Sequence, residues 1–199
     1  MSERPKLTGL LGRIDAFIER EVAPLEAEHP EFFDHRREFA RSDLERGGAP
    51  IREWEEVLVE MMRRADAAGL YRFALPAELG GSGGTNLEMA VIREHLANKP
   101  IGLHFDLQSE SACVGNFPVV LVLHALGSAE QRELIEPLIR HELACGLPTD
   151  APGFDVRYHH WTFNMPTDHS EVELRDARVP DAAIIGEERR VRPSADRLR

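Results

Sequence analysis

Apolar positions recur at intervals of three and four residues through most of the first 140 residues, which is the pattern of amphipathic helices. The first such stretch covers residues 7–25 and carries charged side chains on its opposite face. A second covers residues 54–68 and stops at Gly69, a residue type that commonly closes a helix in the left-handed conformation. Residues 32–40 lie between them and predict a shorter helix. The first half of the chain is therefore predicted to be helical.

Two capping boxes predict the starts of further helices. In the first, the Thr85 side chain can accept a backbone hydrogen bond while Glu88 reaches back to the helix start, and Ser128 with Gln131 repeats the arrangement. A glycine-rich loop at residues 80–84 precedes the first box. It follows no strand and lacks the Lys-Ser/Thr ending of a phosphate-binding loop, so it is interpreted as a flexible turn between helices.

An apolar run at residues 118–123 predicts a buried helix, with Pro118 in its first turn. A buried strand is the alternative, because a short apolar run does not by itself distinguish the two. The helix after Ser128 contains Pro137, which is expected to kink or divide it.

The pattern changes at residues 147–149, after which apolar and polar residues alternate. Residues 155–163 and 171–175 predict two strands, and residues 164–168 predict a turn between them. Two strands alone are marginally stable in water. The apolar positions expected to be partly exposed, or to repack on the helices, are Val156, Tyr158, Val172 and Leu174.

Composition narrows the class of protein. Apolar residues at 42% and charged residues at 30% are typical of soluble globular proteins. A formal net charge of -11 argues against a nucleic-acid partner. No apolar run is long enough to predict a membrane span, and the N-terminal residues do not resemble a secretory signal. Since Cys113 and Cys145 make no disulfide framework, the protein is expected to be cytoplasmic.

Histidines in the β region are the first candidates for chemistry. His159 and His160 could approach Asp168 and His169 across a hairpin and bind a metal ion. The four residues do not have the compact spacing of a metal site, so polar positions of a strand and turn are the favoured interpretation. No metal ligand is predicted.

Polar residues in the segment before Pro118 are the second candidates. Asp106, Gln108 and Glu110 could act as acid or base groups, but the solvent-facing side of a helix is the favoured interpretation. Cys113 stands among apolar residues and is expected to be a small core residue. No nucleophile, base and orienting group occur in a recognisable arrangement, so no catalytic residue is predicted.

Six short motifs resemble, in order, those of the acyl-CoA dehydrogenase family. They are Ala68-Gly69-Leu70 with Leu75-Pro76 and Gly80-Gly81; Asn86-Leu87-Glu88-Met89-Ala90; Gly115-Asn116-Phe117-Pro118; Gly127-Ser128-Ala129-Glu130-Gln131 with Leu134, Pro137 and Leu138; Thr149-Asp150-Ala151-Pro152-Gly153-Phe154; and Asp176-Ala177-Arg178-Val179-Pro180 with Gly186-Glu187. Each motif is weak alone, but the ordered set covers nearly all of residues 1–188.

The resemblance implies a fold and an activity. The fold is an N-terminal helical domain, a middle β domain and a C-terminal four-helix bundle. The activity is α,β-dehydrogenation of an acyl-CoA thioester, in which a base removes the α proton and FAD accepts the β hydrogen as hydride. Electrons then pass to an electron-transfer flavoprotein. This flavoprotein activity belongs to fatty acid metabolism.

The departures from the family pattern bear on that activity. Family members follow the position of Leu147 with a Thr-Glu-Pro and a serine-containing segment that contacts the flavin, whereas Pro148-Thr149-Asp150 already belongs to the next motif. The bundle that carries the catalytic glutamate also has no counterpart. The chain is therefore expected to be an internally deleted, truncated form that is inactive alone, with no catalytic or FAD-binding residue. One alternative is a helical binding module that pairs with a full-length relative or holds an acyl chain, and a homo- or hetero-oligomer with such a relative is a possible assembly. A gene remnant or mis-assembled reading frame is a further alternative.

The resemblance also divides the chain and leaves one candidate site. The expected fold class is mainly α: a helical acyl-CoA-dehydrogenase-like domain at residues 1–146, a remnant of the middle β domain at 147–188, and a disordered basic tail at 189–199. The helix before the Gly-Asn-x-Pro step lines the acyl pocket in relatives. Its counterparts here are Leu107, Glu110, Val114 and Phe117, and ordinary helix packing is the alternative for them.

Overall fold

The structure, a computed structural model, describes residues 3–34, 40–45, 49–99, 113–142, 152–162, 165–178, 183 and 185. The helices in these ranges are α1 (Glu3–Phe17), α2 (Ala23–Glu28), α3 (Pro30–Phe33), α4 (Arg52–Ala67), α5 (Asn86–Ala97), α6 (Pro118–Leu126), α7 (Ala129–Arg132) and α8 (Ile135–Ile139). The strands are β1 (Ser42–Asp43), β2 (Ala49–Pro50), β3 (Phe154–Thr162) and β4 (Met165–Leu174). The mainly helical fold class is confirmed.

The chain divides into two compact units. One comprises Met1–Asn116 with Val156–Val172, and the other comprises Phe117–Asp155 with Glu173–Arg199. The division into residues 1–146, 147–188 and 189–199 stays a prediction. Within the described residues, no helix is long and apolar enough to cross a membrane.

The predicted helix at residues 7–25 is confirmed as α1, a π-helical turn at Ile18–Val22, and α2. Its apolar stripe forms much of the core of the first unit, and Ile14 and Val22 are completely buried. Pro24 is the second residue of α2 and directly follows the π-helical turn, in which the N–H of Ala23 donates to the carbonyl oxygen of Ile18. The π-helical turn had no signal in the sequence.

Trp54 anchors α4 in an aromatic cluster. Its ring meets the edges of Phe32 and Phe33, with ring centroids 5.7 and 5.8 Å away. Arg41 lies over the Trp54 ring at 4.3 Å and donates a hydrogen bond of 2.7 Å to the carbonyl oxygen of Phe32. The cluster therefore holds α3 and Arg41 against the start of α4.

Helix α4 ends as predicted, at Gly69. This glycine has a φ of +68°, the left-handed conformation that glycine adopts without a Cβ penalty. Its N–H donates to the carbonyl oxygen of Asp66, and the next N–H, that of Leu70, donates to Ala65. The glycine thus turns the chain and satisfies carbonyls at the end of the helix.

Both predicted capping boxes are present, at Thr85 with Glu88 and at Ser128 with Gln131. The first begins α5; His95 in α5 and Lys99, two residues after its end, both donate to the carboxylate of Asp15 on α1. Burial raises the pKa of Asp15, but these hydrogen bonds and charges outweigh it, so the pKa lies below its ordinary value. This ion-pair network connects α1 to α5.

The glycine-rich loop between α4 and α5 folds back on itself. The backbone N–H groups of Ser82 and Gly84 donate to Phe73, and that of Gly83 donates to the buried Leu75. The loop is a turn between helices, as predicted, but its backbone hydrogen bonds hold it closed, unlike the flexible turn that was expected.

The apolar run at residues 118–123 forms α6, which confirms the helix over the strand alternative. It packs on α8 and buries Val120 and Leu123. The prediction that this run is buried is wrong, because nothing described covers its other side. The exposed apolar side chains of α6 are Val119, Leu121, Val122 and Leu126.

The helix after Ser128 is divided, as predicted for a segment that contains Pro137. A short turn separates α7 from α8, and Pro137 is the third residue of α8. At this position the absent proline N–H interrupts no hydrogen bond within the helix.

The predicted strands pair as a two-stranded sheet of β3 and β4. The prediction of a turn at residues 164–168 is wrong, since Met165 already belongs to β4. The Pro-Thr-Asp sequence that follows favours turns locally, but pairing with β3 extends the strand. The apolar positions are exposed, the first of the two predicted outcomes: Val156 at 40%, Tyr158 at 50%, Val172 at 42% and Leu174 at 60%.

Candidate functional site

The predicted acyl-pocket residues lie partly outside the described chain. Leu107 and Glu110 belong to residues 100–112, which the structure does not describe. Val114 and Phe117 are both buried, at 3% and 7% exposure. Phe117 stands at the start of α6 with a non-helical backbone, immediately before Pro118. Their burial agrees with a pocket wall and also with ordinary packing.

The segment around Val114 is held against the loop that follows α4. The N–H of Gly115 donates to the carbonyl oxygen of Tyr71 across 2.8 Å. Cys113 and Tyr71 are also buried, as is Leu70 next to Tyr71. Cys113 is therefore a core residue, as predicted. Together these residues form a buried cluster that is mainly apolar, the Val114 cluster.

Burial also keeps the polar side chains of the Val114 cluster uncharged. Removal from water raises the pKa of Tyr71 to about 12, and the nearby negative charge of Asp66 acts in the same direction. Burial likewise raises the pKa of the Cys113 thiol to about 12, with a smaller contribution from Glu26. Neither group can take up a proton as a base near neutral pH. Both groups are therefore neutral near neutral pH.

The β-region histidines do not form a metal centre with the described side chains. The Nδ1 atom of His159 lies 3.0 Å from the hydroxyl of Ser170, and the His160 ring meets the edge of Tyr158. No group of three possible metal ligands occurs among the residues that the structure describes. The side chains of Asp168 and His169, and residues Asp106 and Gln108, lie outside that description.

A concave region, which sequence reasoning missed, lies on the first helical segment. It has a volume of about 340 Å³, and its lining includes Arg13 and Arg20. Gly9 and Gly12 in the interior of α1 were the available signal, because glycine lowers helix stability and needs a reason to stand there. Its complete lining is Gly9, Gly12, Arg13, Ala16, Phe17, Arg20, Ala68 and Leu70.

The described residues do not fit FAD. A flavin dinucleotide has two ring systems joined by a diphosphate, whereas the cavity on α1 is near the lower limit of ligand pockets, about 300–1,000 Å³. The described strands form a two-stranded sheet with exposed apolar side chains, which offers no enclosed surface for a flavin ring.

Comparison with known proteins gives one family and one fold. The family model for the acyl-CoA dehydrogenase N-terminal domain matches residues 26–142. A solved structure from Mycobacterium abscessus, whose own assignment as an acyl-CoA dehydrogenase is provisional, superposes with a TM-score of 0.60 at 23% identity. The match covers 90% of this chain and 60% of that chain, and at this identity it shows the fold alone. A search of the curated proteins found no match.

Proposed function

The chain belongs to the acyl-CoA dehydrogenase family, and we propose that it is the helical framework of such an enzyme, carrying the acyl-chain wall without a flavin site. The family reaction is FAD-dependent α,β-dehydrogenation of an acyl-CoA thioester. On this proposal the chain can hold an acyl chain but does not oxidise it alone. The proposal is based on the Val114 cluster, whose residues are buried and whose Tyr71 and Cys113 are uncharged.

The wall is proposed to consist of Leu107, Glu110, Val114 and Phe117. Val114 supports this because the hydrogen bond from Gly115 to Tyr71 holds its segment against a buried loop. A wall held by the backbone keeps its shape when the acyl chain enters. An acyl chain gains free energy by leaving water for such a surface, and neutral Tyr71 and Cys113 place no buried charge against it.

We base the proposed absence of activity on the sequence that follows Leu147. In relatives a flavin-contacting segment follows this position, whereas Pro148 here already begins the next motif. An internal deletion at that joint would remove contacts that a flavin needs. The acyl-CoA substrate and the electron-transfer flavoprotein are proposed as partners of the family reaction, which this chain would join only with a more complete subunit.

A non-enzymatic binding module that pairs with a full-length relative is the second candidate. It is favoured by α6, whose Val119, Val122 and Leu126 recur at helical spacing and are all exposed. A contiguous apolar surface of this kind commonly marks a protein–protein interface. Formation of a mixed oligomer with a full-length relative, lost in a Val122→Glu variant, would favour this candidate.

The acyl-chain wall is tested by shortening Val114 to alanine in the full chain. We expect Val114→Ala to change the ratio of affinities for a short and a longer fatty acid by about tenfold, since one methylene in an apolar pocket is worth roughly that much. Affinities would be measured by isothermal titration with both fatty acids. Val120→Ala is the matched control, because Val120 is equally buried but lies in α6.

Two results would contradict the wall. The first is an unchanged affinity ratio in Val114→Ala with a normal circular-dichroism spectrum. The second is an equal change in Val120→Ala, which would show that lost packing alone produces the effect.

A further inference from the structure

The α1 cavity, defined by the eight lining residues given above, contains two glycines without a packing role among the described residues. A Cβ atom built on Gly9 or Gly12 meets nothing within 4 Å. Glycine is less favourable than alanine in the interior of a helix, so both positions lower the stability of α1. The space above them is open, so both residues keep a shallow depression clear on the helix surface.

The charged side chains that line the cavity are positive, whereas the net charge of the protein is negative. Arg13 and Arg20 both line the cavity and lie seven residues apart, about two turns along the helical segment. No acidic residue lines the cavity, although the whole chain has a formal net charge of -11. A local positive potential on an acidic protein favours a small anion that fits between the two groups.

Arg13 and Arg20 differ in the contacts that they make with the rest of the protein. Arg13 donates one hydrogen bond of 3.1 Å from Nη2 to the carbonyl oxygen of Ala68, which positions its guanidinium while other N–H groups remain. Arg20 is exposed and forms no ion pair with the described residues. It lies within the π-helical turn Ile18–Val22, a helix irregularity that often occurs at functional sites.

The remaining lining is apolar. Ala16 lies on α1 between the arginines, and Phe17 and Leu70 contribute the deeper part of the cavity. A ligand with a charged group alone would leave this part unused. The volume of about 340 Å³ is at the small end of ligand pockets, about 300–1,000 Å³, which excludes large ligands.

We propose that the α1 cavity binds a small organic anion, a carboxylate or phosphate joined to a short apolar group. The guanidinium groups of Arg13 and Arg20 would bind the anionic group by charge-assisted hydrogen bonds. The apolar group would lie along Gly12 and Ala16, where the missing glycine side chain allows close approach to the backbone. The α1 cavity includes Leu70, which also belongs to the buried residues around Val114, but this inference does not depend on the proposed function.

The test is isothermal titration of the full chain with four probes: hexanoate, hexyl phosphate, inorganic phosphate and hexylamine. The site predicts binding of hexanoate or hexyl phosphate, and the stronger of the two identifies the anionic group. Inorganic phosphate is expected to bind more weakly because it lacks the apolar group, and hexylamine is expected not to bind because the arginines repel it.

Two variants locate the binding. Arg20→Gln is expected to weaken binding about tenfold or more, as loss of a charged hydrogen bond does. Arg63→Gln, at an exposed position of α4, is the matched control and should leave the affinity unchanged. Gly12→Leu is expected to abolish binding by filling the cavity. Circular-dichroism spectra would establish that each variant is folded.

Three results would overturn the proposal. They are no binding of either organic anion at millimolar concentration, binding of hexylamine equal to that of hexanoate, and anion binding that survives both Arg20→Gln and Gly12→Leu. The last of these would assign the binding to another part of the chain, including the acyl-chain wall.

Discussion

Replacing Trp54 with alanine is expected to lower the free energy of unfolding by about 3–5 kcal/mol, the usual cost of emptying a buried aromatic position. Trp54 is 6% exposed and contacts the rings of Phe32 and Phe33 edge-on. Alanine would remove both ring contacts and leave the guanidinium of Arg41 without the ring over which it lies. Urea unfolding followed by circular dichroism would measure the loss.

Trp54→Phe is the matched control for this substitution. It retains an aromatic ring in the cluster and is expected to lose much less stability than alanine. A loss below about 1 kcal/mol for Trp54→Ala, the range of ordinary surface substitutions and weak contacts, would contradict the packing of this cluster. It would also show that α3 does not depend on Trp54 for its attachment.

Replacing Gly81 with alanine is expected to destabilise the chain by on the order of 3 kcal/mol, the upper range for overpacking a closed region. A Cβ atom at Gly81 would overlap the carbonyl group of Leu75 and come within 2.6 Å of the carbonyl oxygen of Arg72. Leu75 is completely buried and its carbonyl accepts the N–H of Gly83, so the backbone cannot move away without opening the loop.

Gly12→Ala is the matched control, since the same methyl group meets nothing within 4 Å on α1. That variant is expected to gain about 1 kcal/mol from higher helix propensity. Urea midpoints of the two variants should therefore move in opposite directions. Equal midpoints for Gly81→Ala and the parent chain would show that the loop is open in solution, as a flexible turn between helices would be.

Locally encoded features were predictable from the sequence. The capping box of Thr85 and Glu88 and the helix end at Gly69 depend on residues within one turn, so the residue types suffice to predict them. The same holds for the helical stripe of residues 7–25. These features also carry part of the family pattern, which explains why the family could be identified from one sequence.

Features that depend on distant partners were not predictable. The run at residues 118–123 indicated burial, but only packing partners decide which sides of a helix are covered, and Val122 and Leu126 are exposed. Met165 begins a strand because β3 pairs with it, against the local turn signals that follow. The α1 cavity combines α1 with Ala68 and Leu70, residues more than fifty positions away.

The exposed side of α6 and the acyl-chain wall bear differently on function. A wall built by Val114 and its neighbours would give the chain a ligand of its own, whereas an uncovered apolar helix face would give it a protein partner. Both are compatible with descent from a flavoenzyme whose helical domain holds the substrate. They differ in the measurement that detects them, ligand titration in one case and oligomer formation in the other.

The most direct test of the account is whether the full purified chain retains flavin. The protein would be incubated with FAD and desalted, its flavin absorbance spectrum recorded, and reduction of an artificial electron acceptor assayed with acyl-CoA. A framework without a flavin site predicts no retained flavin and no acyl-CoA-dependent reduction. Retained flavin near one equivalent, with acceptor reduction that requires acyl-CoA, would contradict it.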